Sequence, residues 1–496
     1  MNKTGYVTEI EIKAPSTNVA NGNIIMLTAI TKPEKALDNK ITAINCWFGN
    51  NATNYNATPD AGTNVTLPNW LFLNATADPA EVPLGQNSTI TFKLDSYNST
   101  SNTTNSYDAS KINAAVSLTQ TLGELDKTTA LFDEKIIYTA KKGGKASITG
   151  KFETLAYTIN LKNTRDSITW YVNGSKTSSG NGTSDEEAFK TLKEALNETI
   201  DYDTIIIASG EYKGTNNTGL TISKNLNFIK YGDGEAIFDA ESKNGIWYVN
   251  ATSINITDIT FKNGNATSGG ALHFEKSLIN SNINATFINN TAKRSAGAIH
   301  WSGHYGTVSN STFINNNATG EVTSVIGGIL GGGDGGAVIW VGSHGIIKDN
   351  CNFINNFAKY RGGAVFLHGN STENCTNTTV TNCNFEDNVA GLNGGAIDWH
   401  EGASHGLVSY CNFENNIANR SAGAIFWSGH NGTIEHSIFT DNHALGIANG
   451  TTPKGNVTLG GDAGAVMWTG ALGIVDECIF VNNSATQRGG AIFLQA

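Results

Sequence analysis

The chain has 496 residues, 15% of them charged, with 55 Gly and a formal charge of -11 at pH 7. That acidity, without any cluster of Lys and Arg, argues against a nucleic-acid partner, whose phosphates demand such clusters. The longest aliphatic runs, such as Ile205-Ile206-Ile207, fall far short of the ~20 residues that span a bilayer, and Met1 is followed by no apolar leader. Gly and Asn tolerate the left-handed backbone of turns, so the composition predicts short strands and turns rather than helices.

Residues 1–66 end in ITAINCWFGNNATNY and are too short for a domain. They read as the terminal coils of a preceding β-helix, and both chain ends read as cut. Residues 67–165 show separated alternating runs, WLFLNATA at 70, STITFKL at 88, EKIIYTA at 134, GKASITG at 144 and LAYTINL at 155, the pattern of a β-sandwich. Residues 166–496 read as a solenoid. Its opening carries SDEEAFKTLKEALNETI, where Phe189, Leu192, Leu196 and Ile200 recur at helical spacing; this predicts a helix over 184–200 that caps the stack.

From residue 269 a tetrad returns: GGALHF, AGAIHW at 296, GGAVIW at 335, GGAVFL at 362, GGAIDW at 394, AGAIFW at 422, AGAVMW at 463 and GGAIFL at 489. Successive copies lie 27, 39, 27, 32, 28, 41 and 26 residues apart, and a Phe-x-x-Asn motif sits between them. A basic period of 27 with alternating apolar residues is one turn of a parallel β-helix. The long steps hold insertions at 319–334 and 445–462, and the duplicated unit is four coils.

Coils stack at about 4.8 Å, so each alignment column is a physical ladder. Alternation sends Ile299 with Trp301, Val338 with Trp340 and Ile425 with Trp427 inward. Cys351, Cys383, Cys411 and Cys478 share the buried face of the Phe column, with Ser311 and Ser437 in their place elsewhere. The Phe-x-x-Asn amides are expected to bond between coils at the turn. Six Cys in so long a chain make no disulfide framework, and none has zinc spacing.

The outward column of the tetrad strand runs His273, His300, Ile339, Phe366, Asp398, Phe426, Met467, Phe493. Its apolar members Ile339, Phe366, Phe426, Met467 and Phe493 form a candidate binding patch, unless the insertions fold over them. Asp398, with His400 and Glu401 nearby, is the best catalytic candidate, yet no partner carboxylate stands in register. Asp334 and Asp462 precede tetrads in the two long-insert coils and read as turn formers. His304, His344, His405 and His430 follow the Trp strand; stacked imidazoles bind transition metals, but their register shifts by one. No motif implies a cofactor: GGGDGG is not the calcium nonapeptide, and GGKAS lacks a phosphate loop's GK[ST]. The chain holds 27 Asn-x-Ser/Thr sequons, among them Asn51, Asn74, Asn87, Asn173, Asn250, Asn310, Asn419 and Asn456, which point outside the cell as glycan acceptors.

The GGA[ILV] and Phe-x-x-Asn pair resembles the repeats of polymorphic outer-membrane adhesins. The motif order is more similar still to the adhesin-like surface proteins of methanogenic archaea: Asn45-Cys46-Trp47-Phe48-Gly49 ending a β-helix, Trp70 to Ala77 with Pro79 and Asn87-Ser88-Thr89 opening an Ig-like domain, then Ala188 to Leu196 and Asp203 to Tyr212 beginning the next β-helix. The resemblance covers nearly the whole chain. It implies an all-β protein, a right-handed parallel β-helix of pectin-lyase-like type behind an Ig-like sandwich. It also implies an extracellular, cell-surface role; with no partner carboxylate beside Asp398 the chain reads as non-catalytic, offering its β-helix to a cell-surface or glycan ligand. The alternatives are a β-helical polysaccharide lyase or hydrolase, and a sheath or filament subunit that self-assembles through open coil ends.

Overall fold

The computed structural model describes residues 41–47 and 65–495, apart from 99–100, 110–114, 153–154, 276–279, 321–323, 327–328, 370–374, 447 and 453–454. Side chains of 41–47, 65–70, 321–331 and 447–459 also lie outside the description. Two compact units, Met1–Asp166 and Ser167–Ala496, divide the chain.

In the first unit, Val65–Asp78, Asn87–Asn98 and Lys135–Ala140 form the centre of one sheet, and Leu155–Thr164, Gly144–Phe152 and Ala115–Gln120 the centre of another. Their alternating side chains enclose a core containing Leu71, Leu73, Ile90, Phe92, Ile136, Tyr138 and Ile148. The buried Asn163 Nδ2 donates to the Tyr138 hydroxyl at 2.7 Å and to two carbonyls, which satisfies its N–H groups inside that core. Of residues 1–66, only Ile41–Trp47 and the start of Val65–Asp78 are described. These two strands pair in parallel, so Ile41–Trp47 extends a sandwich sheet. The coils expected before them lie outside the described residues.

The second unit is a right-handed parallel β-helix. Among the described residues its coils contribute to a 17-stranded, a 10-stranded and an 8-stranded sheet, each ordered coil after coil. Identical residues meet in register: Phe313↔Phe353, Cys351↔Cys383, Trp399↔Trp427. The Phe rings from Phe287 to Phe480 stack at 4.6–4.8 Å. The indoles of Trp399, Trp427 and Trp468 stack at 4.2 and 4.7 Å. Offset contacts of this kind add about 1 kcal/mol per pair to the area they bury.

Each turn after the Phe strand is built the same way. The residue before the buried Asn takes a left-handed conformation, φ 54° at Asn315, Asn355, Asp387 and Asn415, which Asn and Asp adopt at small cost. In the tetrad the first position is also left-handed, φ 64° at Ala296 and 63° at Gly362, and Ala occupies it in three coils. The second position is Gly throughout for another reason. A Cβ at Gly363 would lie 1.9 Å from the Gly395 carbonyl oxygen of the next coil.

The helix expected over 184–200 is shorter, Leu192–Glu198. Phe189 is held instead as an extension of the first coil: its N–H donates to the Tyr171 carbonyl at 2.9 Å and its ring stacks 5.8 Å from Trp170. The helix starts after Thr191, whose N–H donates to Glu194 at 2.9 Å as in a capping box, while the Leu192 N–H donates to Asn217 Oδ1 at 2.9 Å and the Lys193 N–H to the Asn216 carbonyl at 3.0 Å. Leu192 and Ala195 then join the β-helix core.

Candidate functional site on the outer face of the tetrad sheet

Register places Tyr248, His273, His300, Ile339, Phe366, Asp398, Phe426, Met467 and Phe493 in one outward column. At its start Tyr248, His273 and His300 stack, the two imidazoles 4.7 Å apart and nearly parallel. Burial pulls His300 down to about 3. Further along, the expected apolar patch is not an open surface: Ile339, Phe366 and Met467 are buried, and Phe426 and Phe493 are half-buried. Part of the cover is cationic. The Arg361 guanidinium lies 4.7 Å from the Phe366 ring centre, and that of Arg488 lies 4.3 Å from Phe493.

Both arginines form bidentate pairs with the aspartates that end the two insertions. Arg361 Nε and Nη2 donate to Asp334 at 2.8 and 3.0 Å, and Arg488 donates to Asp462 at 2.7 and 2.8 Å. Asp334 and Asp462 are therefore buried ion-pair partners, where turn formers were expected. The sequence held the signal in RGGAVFL at 361 and RGGAIFL at 488.

Asp398 is fully buried, and neither carboxylate oxygen has a hydrogen-bond partner. Burial pushes its carboxyl above the ordinary carboxylate range. His400 stands beside it, Nδ1 to Oδ1 3.5 Å, longer than a hydrogen bond. The other imidazole nitrogen, Nε2, lies 2.9 Å from Arg361 Nη1. Arginine only donates, so Nε2 accepts and the neutral ring carries its proton on Nδ1, toward Asp398. An Asp–His pair is the start of acid–base chemistry, but the nitrogen that a general base would use is occupied by a guanidinium. Glu401 is exposed on the following turn. His368, its ring 5.5 Å from that of His400, is pulled down to about 4 by burial.

The four turn histidines fall into two columns. His304 and His430 accept backbone N–H groups of Ser343 and Ala471, one coil on, each at 3.0 Å on Nδ1. His344 and His405 hold the left-handed position, φ 57° and 55°, with Nε2 3.2 Å from the amides of Asn377 and Asn431. The structure thus uses them to join turns. Among the described residues no group of three or more His, Cys, Asp or Glu is placed to hold a metal ion.

Of the named sequons, Asn87, Asn250 and Asn310 are exposed, while Asn173 and Asn419 are half-buried. The Asn74 amide is tied, donating to buried Asp95 at 2.6 Å. Asn51 and the Asn456 side chain lie outside the described residues. No described helix is long and apolar enough to cross a membrane. A groove of about 420 Å³ beside the capping helix, lined by Thr177, Ser179, Lys190, Glu194, Asn197 and Asn216 among others, had no counterpart in the sequence reading.

Residues 477–495, less than one coil, match the Chlamydia polymorphic membrane protein repeat. No curated protein matches the sequence. Among solved structures, a rhamnogalacturonan lyase is similar over 55% of this chain and 82% of its own, with 14% identity and a TM-score of 0.34. Pectate lyase Pel9A is similar over 65% and 79%, with 15% identity and a TM-score of 0.32. Pectin methylesterase PemA from Erwinia chrysanthemi is similar over 63% and 90%, with 10% identity and a TM-score of 0.28.

Proposed function

We propose that the chain is a cell-surface, adhesin-like protein that binds without turnover, its Ig-like unit a spacer and its β-helix the recognition surface. The outer face of the 17-stranded sheet carries this reading. Thr307, Ile346, Thr379, Leu407 and Thr433 stand in one outward column, and Thr312, Asn352, Asn384, Asn412 and Ile438 in another. Hydroxyls, amides and methyl groups thus repeat at about 4.8 Å on a stiff sheet, with amides linked between coils, as Asn384 to Asn352 at 3.0 Å. These columns of neutral donors and acceptors, beside outward Lys348, Glu386, Glu414 and Glu435, complement the hydroxyls of a glycan.

The repeat matched at 477–495 supports a surface location, and exposed sequons support an extracellular glycoprotein. The motif order supports an origin among the methanogen surface proteins. Occupation of His400 Nε2 by Arg361 supports a role without catalysis. The test is a glycan and cell-binding array with the whole chain beside Asn384→Lys and Thr312→Lys, which place charge in these columns. Binding lost in both variants is the expected result. Glycan turnover abolished by Asp398→Asn would replace this reading with a hydrolase or lyase.

A further inference from the structure

The two insertions end on equivalent latches. At each, a buried Asp accepts two N–H groups from an Arg of the next coil, and that Arg covers a Phe. Backbone contacts match too: Ala296 N–H donates to the Asp334 carbonyl at 3.0 Å and Gly335 N–H to the Arg361 carbonyl at 2.8 Å, as Ala422 does to Asp462 at 2.9 Å and Ala463 to Arg488 at 2.8 Å. Arg361 has a further partner: His400, from the coil after it, accepts a third N–H of that guanidinium.

His400 has two possible partners and one spare proton site. Neutral, it serves Arg361 through Nε2. A proton on Nε2 would set two cations 2.9 Å apart, and the same proton makes the ring a partner for Asp398, whose oxygens are unbonded. The charged or titratable groups facing it are Arg361 and Asp334 across the latch, His368 from the preceding coil, and Asp398 and Glu401 on its own segment. We propose that His400 is a two-position switch: neutral it holds the first latch shut through Arg361, and protonated it turns to Asp398 and loosens the end of the insertion at Gly332–Asp334, leaving the Asp462 latch unaffected.

Hydrogen exchange of the whole chain at pH 7.4 and 5.0, across the range in which imidazoles change charge and corrected for intrinsic rates, tests this. Protection of 332–336 should fall several-fold in acid, while 460–464 stays level. His400→Gln keeps an acceptor for Arg361 without a titrating group, so 332–336 should then stay level. Asp398→Asn removes the second position and should move the response to lower pH. An unchanged 332–336, an equal response at 460–464, the same response in His400→Gln, or no displacement in Asp398→Asn overturns the proposal. Circular dichroism of each variant separates loss of the switch from loss of the fold.

Discussion

Asn388 donates its side-chain amide to Asn416 Oδ1 in the next coil at 3.0 Å and to the Phe353 carbonyl of the preceding coil at 2.8 Å. It is one rung of a buried amide ladder that runs from Asn290 to Asn483. From Asn290 to Asn442 the rungs are buried and satisfy turn groups that water cannot reach, while Asn483 is half-buried.

Replacing Asn388 by Ala strands the Phe353 carbonyl and the amide of Asn356, which donates to Asn388 Oδ1 at 2.9 Å. Each buried unpaired group costs about 1–3 kcal/mol. A loss of roughly 3 kcal/mol or more is expected, read as a lower urea midpoint at unchanged slope. A loss under ~1 kcal/mol would mean that the ladder is dispensable.

The tetrad glycines should respond unequally. Gly362→Ala brings a Cβ to 2.3 Å from the Val365 carbonyl oxygen, but Ala296, Ala422 and Ala463 show that the backbone can shift to hold a methyl group at this left-handed position, so the cost should be at least about 1–2 kcal/mol and below that of Gly363→Ala. Gly363→Ala forces a methyl group onto the Gly395 carbonyl, and should cost more than ~4 kcal/mol or prevent folding. Thermal melts of the two variants compare them directly.

Asp398 is held above its unfolded value, so the stability it contributes is complete below about 3.8 and lost as pH rises through its folded value. Asp398→Asn should melt higher than the native chain at pH 8, and the gain should vanish by pH 4. His368 has the opposite sign. Pulled from 6.5 to about 4, it favours the fold fully above 6.5 and less as pH falls toward 4, by up to roughly 3 kcal/mol. His368→Gln should flatten that part of the melting profile.

Glycan occupancy should follow access. In a host that modifies sequons, peptide mass spectrometry should find sugar at Asn250 and Asn310 and none at Asn74, whose amide is committed to Asp95. Sugar at Asn74 would require that strand to be rebuilt.

The columns were legible because a β-helix sets like residue on like residue, so recurrence in sequence becomes contact in space. Trp301 and Trp340, Phe353 and Phe385, and the Asn ladder follow from spacing alone. The latches were not read, because an ion pair between neighbouring coils leaves only a recurring Asp and a recurring Arg about 26 residues apart, each plausible as a turn residue. The outward column also misled: alternation tells which side a residue faces, and Ile339 and Phe366 face out but are covered. The helix start failed because Phe189 fits a helical stripe and a strand pairing equally well, and Trp170 decides for the strand.

The in-register stacking has an evolutionary consequence. Since each ladder joins a residue to its counterpart in the next coil, adding or deleting whole coils by recombination leaves every ladder intact. The near-identical 295–318 and 421–444, together with the twin latches at Asp334 and Asp462, mark one such cassette of four coils. Inserting another would lengthen the rod by roughly 19 Å. Length is therefore an adjustable trait in this architecture.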